Sequence, residues 1–477
     1  MMGKGWIHLT MMTLLVFGTT ALRAQQADAP STQSAANLPS FRPGTSPNVQ
    51  NAPNPGAGLT AAPARDLTGG QVFEPVLEEA PGSFWQPAFA CTEYATSNPS
   101  GVNRNSGLFN ETACAGSITL QKVASRSQFN LNFTGGSFYY NRPYQTGAKQ
   151  YGSAGALAAF EQLSGRRWTW TLGDQGTYLP EGAVGYEPFA GLAAMAGNFG
   201  AMGTVPALNG TFSPNQSSLG GVARRFSDLA LSEFEYASGP RTTVTAMMTF
   251  GTQQFLVPGF IDNKNWGFTA GYNRALDRSN EVALGYDEIH YNFGPSQQTF
   301  AARGFSTLYR RSLTRTLTAE LSMAPMVRTA GSTSDFFLAT YNSLSYRAVR
   351  WDGTLRFDRM LTGGAGYLAG AETSQVMATL GRQLSHRVRG DLDLAYADNL
   401  SMTPRSAAAL RTSYDYVLVG VNLTHQLGPR LSMHLNYSVQ RATSSLPLCE
   451  GTTCSNVYLR QIGGLGIDWH AQPRKLD

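Results

Sequence analysis

The sequence predicts an all-β protein: a transmembrane antiparallel up-and-down β-barrel of about sixteen strands, preceded by a disordered N-terminal linker. Three observations predict it. First, charged residues make up only 14% of the chain, against about a quarter in ordinary soluble domains. Second, Thr, Ser, Gly, Tyr and Phe are plentiful while Lys and Glu are scarce, a composition that suits strands and not helices. Mean hydropathy is −0.21, and no second apolar run of about 18 residues follows the N-terminal one, which excludes a helical membrane bundle. Third, apolar and polar residues alternate in stretch after stretch, the signature of strands with one apolar face.

The formal charge is 36 − 31 = +5, and without Lys4 and Arg23 of the leader it is 34 − 31 = +3. That is too small for a dedicated nucleic-acid binder, so no nucleic-acid partner is expected.

Residues 1–24 read as a secretory signal peptide. Lys4 supplies the positive region, Met11 to Leu22 the apolar core, and Ala21-Leu22-Arg23-Ala24 the cleavage site. Export permits disulfides. The four cysteines allow three connectivities, of which the local pairs Cys91–Cys114 and Cys449–Cys454 are favoured. No His lies near either pair, so no metal site and no cofactor are expected. Residues 25–68 are Ala, Pro, Ser, Asn and Gln with almost no large apolar side chain, and cannot bury enough surface to fold. Residues 69–124 hold Phe84, Trp85, Phe89, Tyr94 and Phe109 around the first cysteine pair. They read as a small stapled segment: a periplasmic cap, a plug, or an additional hairpin.

The barrel is expected over residues 125–470, with 471–477 as a tail. Seven short turns, each containing a basic residue, punctuate this region: Gln162–Arg166, Tyr236–Arg241, Arg274–Arg278, Arg311–Arg315, the looser Tyr346–Arg350, Gln383–Arg387 and Gln426–Arg430. Alternation flanks them. Leu431, Met433, Leu435, Tyr437 and Val439 interleave with Ser432, His434, Asn436, Ser438 and Gln440. Two strands per turn, with one more at each end, make sixteen; fourteen and eighteen are the alternatives. Longer connections are expected at 141–152, 180–220, 256–263, 294–297, 329–337, 362–371, 400–412 and 443–455. Leu229 and Leu231 run out of phase with Phe234 and Tyr236, and a bulge between them restores the phase. Trp168, Trp266, Trp351 and Trp469 stand near strand ends, as interfacial girdle residues do.

These features resemble outer-membrane β-barrel porin-like proteins of the type associated with exopolysaccharide loci. The resemblance covers about 125–470. It rests on the hairpin register, on Gly381-Arg382-Gln383-Leu384-Ser385-His386-Arg387 before Asp391-Leu392-Asp393-Leu394-Ala395-Tyr396, and on the Gly-rich final strand Ile462–Trp469. That strand looks like the signal read by the barrel-assembly machinery, but Ile462 replaces a usual polar residue and eight residues follow Trp469. The resemblance implies a place in the outer membrane of a Gram-negative-type envelope, lipid contact, and a channel or a secretion-system component. A homo-oligomer is compatible with it.

Sixteen strands enclose an aqueous lumen, whereas eight are filled by side chains. Diffusion of small hydrophilic solutes is therefore the expected function, with an exopolysaccharide or other secretion component as the alternative. The strand phases turn Arg167, Glu320, Asp352, Arg356, Asp358, Arg389, Asp391, Asp393 and Arg460 toward the lumen. Their mixed signs predict weak ion selectivity. The apolar stretch Gly191–Gly197 in the longest loop predicts a segment that folds inward. The six His show no nucleophile–base spacing, so an enzyme is not expected.

Overall fold

The computed structural model describes residues 83–97, 108–141, 151–179, 224–256, 260–294, 299–331, 333–362, 368–402, 413–445 and 457–476. The signal peptide, the linker, the 180–220 loop and the Cys449–Cys454 pair lie outside them.

The described residues form one antiparallel sheet closed on itself. Its strands follow in chain order: β1 (Phe84–Thr96), β2 (Phe109–Val123), β3 (Ser127–Tyr140), β4 (Tyr151–Ser164), β5 (Trp168–Leu179), β6 (Arg225–Gly239), β7 (Thr242–Phe255), β8 (Asn263–Ala275) and β9 (Asn280–Asn292). Then come β10 (Thr299–Ser312), β11 (Leu317–Ala330), β12 (Thr333–Arg347), β13 (Trp351–Thr362), β14 (Ala371–Ser385), β15 (Val388–Ser401), β16 (Ser413–Gly428), β17 (Leu431–Ser444) and β18 (Val457–His470). Each pairs with its sequence neighbour, and β1 closes on β18 from Ala88↔His470 to Thr96↔Ile462. A two-residue β19 (Arg474–Lys475) carries that closure on, pairing with Phe84 and Trp85. Closure removes the exposed edges that an open sheet of this size would present.

The alternation explains the wall. On β11 the outward residues are Leu317, Ala319, Leu321, Met323, Pro325 and Val327, and the inward ones include Glu320, Ser322 and Arg328. At about 3.4 Å per residue and a tilt of about 40°, such a run covers about 26 Å of barrel height, the thickness of the apolar band of an outer-membrane barrel. Leu321, Leu435 and Phe305 are half-exposed or more on this face, while inward Glu320, Asn436 and Ser306 are buried. Toward the long-loop end the outward positions turn polar, with Lys264, Glu288, Arg303, Asp398 and Asp415. They bound the apolar band on that side.

The short turns lie at the other end, together with the first strand's start and the last strand's end. The β8–β9 turn is held by Asp277. Its Oδ1 accepts from the Ser279 and Asn280 backbone N–H groups at 2.7 and 2.9 Å, and its Oδ2 from Asn280 Nδ2 at 2.7 Å. These bonds, the Ser279 N–H first, pull the Asp277 carboxyl down to about 2.

Four expectations are corrected. The barrel has eighteen long strands, not sixteen, because β1 and β2 belong to the wall. On their outward faces Pro87, Cys91, Cys114 and Gly116 interrupt the larger Trp85, Phe89, Ile118 and Leu120, which breaks the apolar stripe. An eighth short turn, residues 124–126, therefore escapes the pattern count although it also ends in a basic residue, Arg126. Cys91 and Cys114 sit directly opposite each other and are disulfide-bonded, so the bond staples two wall strands. The 329–337 loop shrinks to a tight turn at Gly331, whose φ of 58° is one that side chains rarely adopt; the polar residues around it extend the hairpin beyond the apolar band. Finally, the β6–β7 register runs unbroken from Arg225↔Phe255 to Ala237↔Thr243. No bulge separates Leu231 from Phe234, and Leu231 faces inward and is buried.

One junction is short. β11 and β12 pair over their whole length, to Ala330↔Thr333, but β12 and β13 pair only from Arg347↔Asp352 to Thr340↔Arg359. The outer half of β12, Thr333–Ala339, has no backbone partner on its β13 side among the described residues. β13, β14 and β15 stay paired to their outer ends.

Candidate functional site

The candidate site is the inward face of the wall. Its charged groups concentrate on β9–β15. One register row runs across five strands as Glu281, Arg310, Glu320, Ser343 and Arg356. Signs alternate along the row because opposite charges on directly facing positions attract and like charges repel. Arg310 bridges its neighbours: Nε donates to Glu320 Oε2 at 2.9 Å, and Nη1 reaches Glu281 Oε2 at 3.4 Å. Arg356 pairs with Asp358 and lies 4.5 Å over the Tyr341 ring. Gln375 Nε2 donates to Asp358 Oδ2 at 2.8 Å.

A second group sits nearer the short turns. Arg389 on β15 reaches across β14 to Asp352 on β13, with Nη2 2.7 and 2.8 Å from the two carboxylate oxygens. Its Nε donates to Asp391 at 2.9 Å. Gly381 makes this crossing possible. A Cβ there would stand 2.1 Å from the Arg389 guanidinium.

The next wall is less charged, with Arg460 and Asp468 on β18, and is bridged differently. On β16–β18 the inward positions carry Asn422, Asn436, Ser438 and Gln440. At the closing seam His434 on β17 spans β18 to β1. Its Nδ1 lies 2.7 Å from Asp468 Oδ2, and its Nε2 3.1 Å from Thr92 Oγ1. An Nδ1–H tautomer satisfies both, donating to the carboxylate and accepting from the hydroxyl. Gly466 lies beneath; a Cβ there would be 2.2 Å from the imidazole.

Of the lumen candidates, Glu320, Asp352, Arg356, Asp358, Arg389, Asp391, Asp393 and Arg460 stand at inward positions. Arg167 does not: it lies exposed in the β4–β5 turn. Trp168, Trp351 and Trp469 face outward at the short-turn end. Trp266 faces outward near the long-loop end and stacks on His290 at 4.1 Å. The pattern missed Glu281 and Arg310, although counting parity from Tyr309 and Leu284 would have found both. It also missed the Thr92–His434–Asp468 bridge, whose members are 342 and 34 residues apart in sequence.

The outer end of the lumen is narrowed by described segments. Tyr291, Phe293, Phe300, Met326 and Phe337 form an apolar cluster on the inward faces of β9–β12 and the residue just beyond β9. Leu361, Ala369 and Met402, from the outer ends of β13 and the segments beside β14 and β15, bury themselves in it. The Tyr291 hydroxyl donates to the Leu361 carbonyl at 3.0 Å. The expected inward fold of Gly191–Gly197 lies outside the described residues.

No protein-family model and no curated protein matches the chain. Among solved structures it is similar to Pseudomonas aeruginosa OpdQ, with 8% identity, a TM-score of 0.43, and 82% of this chain and 98% of that one covered. It is similar also to the outer membrane protein OpdK of P. aeruginosa (10%, 0.43, 82% and 98%) and to Acinetobacter baumannii OccAB3 (9%, 0.42, 82% and 99%). The assignment as a closed β-barrel rests on the strand pairing of the chain itself.

Proposed function

We propose that the protein is an outer-membrane channel through which small hydrophilic solutes diffuse. One observation carries the reading: a closed wall of eighteen strands wears an apolar band outside and a polar, charge-paired face inside. A wall of that strand number is too wide for side chains to fill. A polar face turned away from lipid is needed only where water lines it.

The pairing sets the selectivity. In the β9–β15 network three arginines, Arg310, Arg356 and Arg389, meet five carboxylates, Glu281, Glu320, Asp352, Asp358 and Asp391, a formal 3 − 5 = −2. Outside that network the inward face adds the carboxylates Glu111, Glu233, Asp287, Asp393 and Asp468 against Arg225, Arg328 and Arg460. Each arginine of the network is engaged by at least one acid, so none stands ready to capture an anion. The channel is weakly selective and leans toward cations.

Swelling of liposomes that contain the refolded mature barrel tests the reading. Uncharged sugars should enter at rates that fall with size. Liposomes that swell no faster than protein-free ones, with a barrel shown to be folded, would overturn it.

A further inference from the structure

At the β12–β13 junction the wall overlaps itself. Arg359 and Leu361 on β13 and Glu372 on β14 stand at outward positions of their strands. Their contacts, however, are with inward side chains of other strands. Arg359 lies 5.3 Å over the Phe337 ring, and its Nε donates to Glu372 Oε1 at 3.0 Å. Glu372 Oε2 is 3.7 Å from Arg328 Nη1, and Arg328 Nε donates to Asp335 Oδ1 at 2.8 Å. Leu361 is 2% exposed in the cluster of Phe300, Met326 and Phe337. The outer ends of β13 and β14 thus lie inside the outer ends of β9–β12, back to front.

We infer that this overlap is a gate at the outer mouth, which unrolls by zipping β13 onto the unpaired outer half of β12. The inference rests on the channel reading above. Continuing the observed register from Thr340↔Arg359 puts Ala339 opposite Met360 and Leu338 opposite Leu361. Parity then places Leu338 and Leu361 together on the outward face as a cross-strand apolar pair one row beyond Arg359. Arg359 and Glu372 come to the level of the outward polar residues. The same residues therefore suit both arrangements. The rolled form buries an apolar cluster and closes an Arg–Glu–Arg clasp. The unrolled form gives the outer half of β12 the backbone partners that it lacks on its β13 side among the described residues. Opposed terms of this kind give two discrete packings of one wall segment.

The test uses the full mature barrel with Leu338→Cys and Leu361→Cys together, oxidised in a planar bilayer, with each single variant as the control for the native cysteines. The double variant should form a cross-link that neither single variant forms. Its conductance should rise by about a quarter over the reduced state, the area ratio of eighteen strands to an effective sixteen. Failure of the cross-link to form in a barrel that keeps its heat-dependent gel shift would overturn the gate. So would a cross-link that leaves a conducting channel unchanged. A cross-link in a barrel that conducts in neither state would instead overturn the channel reading on which the gate rests. Glu372→Ala gives an independent check without new cysteines: loss of the clasp should lengthen the high-conductance dwell times, and unchanged dwell times would count against the gate.

Discussion

The wall from β9 to β15 and the wall from β16 through the seam to β1 share one alternation but hold their inward faces by different means. On β9–β15, charged side chains neutralise one another across strands: Glu281, Arg310 and Glu320 in one row, Asp352, Arg389 and Asp391 in another. On β16–β1, amides and hydroxyls outnumber the charges of Arg460 and Asp468, and an imidazole bridge crosses a glycine at the seam. The difference teaches that a polar lumen can be stabilised by charge pairs or by neutral hydrogen bonds. Only the first of these sets a field that an ion feels.

The comparison breaks most sharply at Arg310. Arg310→Ala leaves Glu281 and Glu320 facing each other, both buried, with no cation between. Breaking a buried pair from one side destabilises by ~3–5 kcal/mol, read as a fall in the urea midpoint of the folded barrel. An unchanged midpoint would mean that water already solvates this row.

At Arg389 the effect moves from stability to selectivity. Arg389→Ala removes one positive charge from beside Asp352 and Asp391, so the reversal potential in a KCl gradient should shift toward stronger cation preference. Gly381→Val should reproduce that shift in part, because the side chain occupies the guanidinium's path over β14. If Gly381→Val has no effect, the crossing is not what holds Arg389.

On the less charged wall the matching change is His434→Ala. It removes both hydrogen bonds that span β18 and should lower stability by ~1–3 kcal/mol, with selectivity unchanged. A selectivity change as large as that of Arg389→Ala would erase the contrast between the two walls.

The smallest effect lies outside both walls. Asp277 is held below its ordinary range by the turn's donors, so its contribution is fully present above about pH 4 and is lost as pH falls through about 2. Asp277→Ala should abolish that acid dependence of the β8–β9 turn, followed by amide exchange at Ser279 and Asn280.

Much of the barrel was legible in the sequence because the repeat has period two and each turn carries its own chemistry. Leu431–Val439 and the Arg274–Arg278 turn needed no tertiary information. The hairpin β1–β2 was less legible, since Pro87, Cys91, Cys114 and Gly116 interrupt the apolar stripe of Trp85, Phe89, Ile118 and Leu120 on its lipid face. Individual inward charges were readable by parity, but their partners were not. Arg389 finds Asp352 37 residues away through a gap left by Gly381, and Thr92 meets His434 only because the sheet closes. The overlap at β12–β13 was hidden for a deeper reason: Leu361 fits the outward alternation whichever way β13 turns.

The most direct test of the central claim is single-channel recording from the refolded mature barrel in a planar bilayer, with folding verified by its heat-dependent gel shift. Stable conductance steps with a weak cation preference are predicted. A folded barrel that passes no current, or one that clearly prefers anions, would contradict the account of a charge-paired aqueous lumen.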